Sequence, residues 1–351
     1  MEYILCIIGI VVLSVVMICL VISVLCVNAV FGKRCEGDKN FKYFTAEDYP
    51  DLNAVKVEIP TKKNTKKKSD SLLTGYIYSC GKCDEDKGII IFSHGMGAGH
   101  FAYTGLIREF CLKGYKVLGF DNTGTVLSSG GCLMGMPRGA VDLCSAIDFV
   151  TARDEFKNSD IFLMGHSWGG ASVCRALGRR SGIKAAAVFS PYNNEFKLLC
   201  SSAARQAGSK AASAVGFFLS LGAFIDFGTL ALRHNVSYLK KSGVPVLAFH
   251  GDADESVELK NSVAYAAEKM GLSNVEAVIL KGRGHNVYQT AESEKYLSEV
   301  FAKAQNIEAV YKDNIRKDVY DDFFGRIDYE LMTRIDSDIV EKTDKFFSES
   351  K

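Results

Sequence analysis

The chain has 351 residues, 48% hydrophobic and 24% charged, an ordinary composition for one large domain with a real core. Lys and Arg total 42 against 41 Asp and Glu, a formal net charge of +1. That balance argues against a surface built for a polyanion, so no nucleic-acid partner is expected.

The first thirty residues stand apart. From Ile4 to Phe31 there is no charged residue, and such a run spans about 30 Å of hydrocarbon as a helix. A buried core helix fits neither the length nor the terminal position. Only Glu2 precedes the run, whereas a secretory signal carries a basic start and a shorter apolar core. Residues 1–31 therefore read as a single-pass transmembrane anchor, with secretion after cleavage near Val27-Asn28-Ala29 as the alternative. Lys33 and Arg34, just after the span, put the C-terminal bulk on the cytoplasmic side. The 11 cysteines agree with a reducing compartment: three lie in the span, and Cys111, Cys144 and Cys174 fall inside expected core elements. Cys80 and Cys83 form a CxxC with no second pair, which reads as a turn rather than a metal site.

Residues 32–54 form a polar juxtamembrane segment with aromatic interruptions, and core elements are expected over 55–192 and 241–351. Val55–Ile59 and Leu72–Tyr78 alternate as strands around a lysine-rich hairpin loop (Thr61–Ser69). A βαβ alternation follows, with strands at Gly88–Ser93, Tyr115–Phe120, Asp160–Met164 and Ile183–Phe189. Helical periods separate them at Phe101–Cys111, Arg138–Ala152 and Ser167–Gly178. No strand fits between Pro191 and Gly243, so residues 193–240 are expected to be a helical cap inserted over the sheet. Its apolar stretch, about Val215 to Ile225, is too short for a second span. Strands resume at Val244–Phe249 and Val275–Leu280 around a helix near Leu259–Met270, and a last amphipathic helix is expected over Tyr329–Phe347. The pattern predicts a mostly parallel α/β sheet with crossover helices, whose ligands bind at the carboxyl ends of the strands.

Those strand ends carry the informative residues. Gly165-His166-Ser167-Trp168-Gly169 is a G-x-S-x-G between a buried strand and a helix. The small residues permit a tight turn that lifts Ser167 Oγ out of the sheet, with the Trp168 amide free to donate to an oxyanion. A serine nucleophile needs a base and a group to orient it. His285, in Gly282-Arg-Gly-His285 after the last strand, is the histidine best placed as base. Asp252 and Asp254, after the strand before it, are both candidates for the orienting acid, with Glu255 a weaker third, and spacing does not separate the two aspartates. The loop His94-Gly95-Met96-Gly97-Ala98-Gly99 lacks a G-K-[ST], which disfavours phosphate binding. The Met96 amide fits a second oxyanion donor instead. No metal or other cofactor is called for: the six histidines are dispersed and no H-E-x-x-H is present.

Together these motifs resemble the α/β-hydrolase superfamily, in its branch of serine aminopeptidase-like and monoacylglycerol-lipase-like enzymes. The likeness runs from about Leu72 to His285, through His94-Gly95, the elbow at 165–169, the H-G-x-x-D-x-x-V stretch His250–Val257, and His285. The resemblance implies an α/β-hydrolase fold and makes Asp254 the acid of a Ser167–Asp254–His285 triad. Two departures matter. Thr123 stands where the branch commonly has arginine and Val126 where it has glycine, in the turn Asp121–Ser128. The stretch from Val287 to about Asp328 is an added helical excursion near the site.

The chemistry expected is hydrolysis of a carboxylic ester through an acyl-serine. Phe217, Phe218, Leu219, Leu221, Phe224, Ile225 and Phe227 of the cap would line an apolar pocket or face a bilayer, or simply pack the cap on the sheet. With the anchor, they favour a lipid-like acyl ester. A peptidase or amidase of the same fold and a non-enzymatic membrane-anchored scaffold are the alternatives.

Overall fold

The computed structural model describes residues 2–61, 71–81, 86–97, 99–207, 209–312 and 314–350. The lysine-rich loop beyond Thr61, and Cys83 of the CxxC, lie outside the described residues. Helix α1 (Glu2–Phe31) leads through an extended strap to a hairpin, β1 (Leu52–Thr61) and β2 (Ser71–Cys80). Then come β3 (Ile89–Ser93), α2 (Thr104–Leu112), β4 (Lys116–Phe120), α3 (Arg138–Thr151), β5 (Ile161–His166), α4 (Trp168–Leu177) and β6 (Ile183–Phe189). Four helices follow without a strand: α5 (Glu195–Ala207), α6 (Ser209–Phe227), α7 (Thr229–Leu232) and α8 (Asn235–Ser242). The core resumes with β7 (Val246–Gly251), α9 (Val263–Met270) and β8 (Val275–Leu280). The chain closes with α10 (Ala291–Tyr311), α11 (Lys317–Phe323), α12 (Tyr329–Met332) and α13 (Ser337–Glu349).

The strands form one sheet in the order β1-β2-β4-β3-β5-β6-β7-β8. From β4 to β8 every pairing is parallel, while β1–β2 and β2–β4 are antiparallel. The sheet is thus mixed, with an antiparallel hairpin added to a parallel core. Its strands are apolar on both faces because both are covered. Ile89 and Ile91 of β3 pack in the layer of α3, α4 and α9, and Ile90 and Phe92 in that of α2 and α13. Strand order reverses between β3 and β5, which puts a crevice at their carboxyl ends.

Several boundaries depart from expectation, β1 starting already at Leu52, and three of the departures have local reasons. β7 begins at Val246 rather than Val244, because Pro245 has no amide for a ladder. β5 runs to His166, so two elbow residues belong to the strand. The final helix is split: Asp336 accepts the Asp338 amide and starts α13 afresh, leaving α12 as one short turn.

The end of α1 is part of this packing. Phe31 is buried with Leu133, Met136, Trp168 and Leu219, and Gly222 of α6 abuts Val27 so closely that no side chain fits there. From Tyr3 to Ile18 every side chain is exposed.

Candidate active site

The elbow follows from steric necessity. A Cβ on Gly165 would lie 2.7 Å from the backbone of Gly169, and one on Gly169 would collide with the Ser93 carbonyl at the end of β3. Only glycine at both positions lets α4 start hard against β5 and β3. The turn leaves Ser167 at φ 52°, ψ −113°, a left-handed conformation that costs a serine roughly 1–3 kcal/mol. Ser167 is the N-cap of α4, so the first amides of that helix have no intrahelical acceptor and face the crevice. The close contact of Gly169 with β3 also brings the loop bearing Met96 to the Trp168 end of α4. Trp168 itself is anchored by its indole, which donates to the Met136 carbonyl at 2.6 Å.

His285 Nδ1 and Asp254 Oδ2 are 2.7 Å apart. The other oxygen of Asp254 accepts the amides of Ser256 at 2.8 Å and Val257 at 2.9 Å, which fixes the carboxylate plane. Burial opposes ionisation of Asp254, but the His285 hydrogen bond and charge, with the Val257 amide, outweigh it and hold the carboxyl below its usual range. Asp252 instead accepts the Gly282 amide at 2.6 Å and braces the loop, so geometry separates two carboxylates that spacing could not. The His285 ring lies 4.7 Å from that of His166, the residue preceding Ser167. Among the described residues no hydrogen bond joins Ser167 Oγ to His285, a contact that often tightens only when substrate binds.

A buried relay ties the loops together. The Gly95 amide donates to Tyr103 Oη at 3.0 Å, Tyr103 Oη lies 2.8 Å from His166 Nδ1, and His166 Nε2 lies 3.1 Å from the His285 carbonyl. With His166 as its Nε2–H tautomer, each donor meets one acceptor, from the glycine loop through the elbow to the histidine loop. Burial, then the neighbouring His285, pushes the His166 pKa from 6.5 to about 3, which keeps the ring neutral. Burial lowers His94 too; its Nδ1 is 2.6 Å from the Gly95 carbonyl, and its Nε2 accepts the Asn122 amide at 3.0 Å. Ser190 Oγ adds a 2.7 Å bond to the His285 carbonyl. Two residues before His285, Arg283 reaches Glu294 of α10 at 2.8 Å and Asp336 at 3.1 Å. The excursion after the histidine therefore clamps the loop that carries it. Tyr103 and His166 have no motif of their own, and sequence reasoning missed both.

The turn after β4 shows how the two departures are accommodated. Thr123 hydrogen-bonds through its amide and hydroxyl to Asp142 at 2.8 and 3.1 Å, and Arg138 of α3 lies 3.1 Å from that hydroxyl. A buried guanidinium thus reaches the turn from another helix. Val126 adopts φ 27°, the left-handed region that favours the glycine it replaces. Arg34, read as a topology signal, also clamps this turn: it donates to the carbonyls of Val126, Ser128 and Gly130 at 2.9, 2.9 and 2.6 Å.

The apolar cap residues do not act together. Leu219 is buried beneath the cap, whereas Phe217, Phe224 and Ile225 are exposed. A cavity of about 740 Å³ lies elsewhere, between the strap, the Met96 loop, the start of α2 and the helices after His285. None of the cap phenylalanines lines it.

A family model described as "Serine aminopeptidase, S33" matches residues 84–216. No curated protein matches the chain. Among solved structures, an esterase of Pyrococcus furiosus is 18% identical, covering 78% of this chain and 98% of its own, with a TM-score of 0.56. Est1E from Butyrivibrio proteoclasticus is 19% identical over 84% of this chain and 98% of its own, with a TM-score of 0.51. An acylaminoacyl peptidase of Pyrococcus horikoshii is 15% identical over 76% of this chain and 42% of its own, with a TM-score of 0.50. At such identities the structural likeness is one of fold. Fold and the family model over residues 84–216 together point to a hydrolase of the serine type. The chain has the α/β-hydrolase fold, and its residues 84–216 resemble esterase/lipase-like S33-type hydrolases.

Proposed function

We propose that this chain hydrolyses a carboxylic ester with an apolar, lipid-like acyl group at a membrane surface. Ser167 Oγ attacks the carbonyl carbon while His285 Nε2 takes its proton, and Asp254 stabilises the imidazolium. The amides of Met96 and Trp168 hold the tetrahedral oxygen, each worth roughly 3 kcal/mol. Collapse breaks the bond to the leaving alcohol, which receives the proton from His285. Water then attacks the acyl-serine by the same route and releases the acid. The observation that carries this reading is the strained, helix-capping Ser167, whose neighbour His166 packs 4.7 Å from the His285 ring, together with a part-buried His285–Asp254 pair 2.7 Å long.

The site favours ester over amide only through the apolar space beside it, and the S33 family description supports the peptidase reading. A fluorophosphonate that labels the wild type and not Ser167→Ala tests the nucleophile. Ester and aminoacyl-amide panels run side by side separate the two activities. A wild type that never labels and cleaves neither class would leave a non-enzymatic scaffold.

The anchor belongs to the same proposal. α1 is apolar from Tyr3 on, with mean hydropathy 3.4 over its most apolar window and side chains exposed over most of its length. It places the site against the bilayer, and the bulk of the chain on the cytoplasmic side. Retention in membranes after alkaline carbonate extraction is expected. An intact N-terminus on the mature protein excludes signal cleavage.

A further inference from the structure

We infer that the acyl chain of the substrate occupies the cavity between the strap and the helices after His285, not the space under the cap. The inference rests on the ester-hydrolase reading above and gives that site its substrate class, a long-chain acyl ester. One end of the cavity adjoins the reaction centre without including Ser167 or His285: Met96 and Gly97 of the oxyanion loop border it, as do Asn286 and Tyr288 just beyond His285. Its volume, about 740 Å³, falls within the range of small-molecule sites. The walls away from the centre are largely apolar: Phe41 and Phe44 of the strap, Leu106 of α2, Leu297 of α10, with Met332 and Ile335 beyond.

The strap is held as a fixed wall. The Phe41 ring packs 5.0 Å from Phe301 and 5.7 Å from Phe324, and Asn40 donates to Glu308 of α10 at 2.7 Å. Cys35 donates to the Gly97 carbonyl, which joins the strap to the oxyanion loop. Since the strap continues directly from α1, one wall of the cavity is tethered to the end of the anchor. An acyl chain leaving a bilayer would meet this wall first. Of the polar groups of the lining, Asp38, Lys39, Asn40, Lys42, Glu308 and Lys312 lie on the strap and at the far end of α10, whereas Asn286 and Gln289 follow His285 at the carbonyl end.

Two substitutions fill the cavity from different walls. A Cβ on Gly105 meets nothing closer than 3.7 Å, and α2 accepts a larger residue there without backbone strain, so Gly105→Leu projects into the space. Leu297→Trp does the same from α10. The full-length chain in lipid nanodiscs is assayed on p-nitrophenyl esters from four to sixteen carbons. Wild-type kcat/KM should rise past eight carbons by up to about fourfold for each CH₂ that becomes buried. Both variants should lower the sixteen-to-four-carbon ratio at least tenfold, and Phe217→Ser on the outer face of α6 should leave that ratio unmoved. A wild type with no gain beyond eight carbons, or a ratio moved by Phe217→Ser and by neither cavity variant, overturns the assignment. Phosphonate labelling of wild-type Ser167 separates the two levels: without it both readings fall, and with it an unmoved ratio in both variants fails the cavity alone.

Discussion

Replacing His166 with glutamine isolates the stability that depends on keeping one buried ring neutral. In the folded chain its pKa is about 3, against 6.5 when solvated. Between those values the unfolded chain binds a proton that the folded chain refuses, so stability must fall as pH falls. The loss begins near pH 6.5, grows by about 1.4 kcal/mol per pH unit, and ends near pH 3. It reaches roughly 2 kcal/mol at pH 5 and close to 5 kcal/mol at pH 3. Glutamine keeps a donor for the His285 carbonyl and cannot take up a proton, although it loses the acceptor for Tyr103. Urea midpoints of wild type and His166→Gln at pH 7, 6, 5 and 4 measure the difference. The variant should be less stable at pH 7 by about 1 kcal/mol, from the lost hydrogen bond, should match the wild type near pH 6, and should exceed it by about 1 kcal/mol at pH 5. Parallel curves for the two proteins would refute the buried neutral relay, since other histidines contribute equally to both.

Asp254→Asn should reduce kcat by about 10⁴ with little change in KM, because the amide cannot stabilise the imidazolium and favours the wrong tautomer. Steady-state kinetics on a short ester measure it, and a loss below tenfold would move the acid role elsewhere. Val126→Gly should raise Tm by roughly 2 °C: relief of the φ 27° strain exceeds the entropy added to the unfolded chain. Calorimetry decides this one, and a lowered Tm would mean that Val126 packing outweighs its backbone.

The candidate site was legible wherever chemistry is encoded within a few residues. G-x-S-x-G demands a strand before it and a helix after it, and small residues where backbones touch, all visible in order along the chain. The runs at Ile89–Ser93 and Ile161–Met164 likewise show burial on both faces, because a strand alternates its side chains whatever surrounds it. The choice between Asp252 and Asp254 was not legible from spacing. It turns on which carboxylate meets an imidazole about thirty residues away; family resemblance implied Asp254, and His285 lies 2.7 Å from that carboxylate. The cap illustrates the opposite limit. Phe217 and Leu219 look equivalent in an apolar run, yet one faces outward and the other packs on Trp168.

What the sequence by itself determined, then, was local: the elbow, the loop glycines, the order of the candidate serine, acid and histidine, and an apolar N-terminal helix. Each depends on backbone sterics or on periodicity, which act over a handful of residues. Only the tertiary structure decided where the apolar space next to the Met96 loop lies. That space is bounded by Phe41 near one end of the chain and by Leu297 and Met332 near the other. It also made Arg34 a clamp and joined Tyr103 to His166, since hydrogen bonds between distant segments form wherever folding brings donor to acceptor.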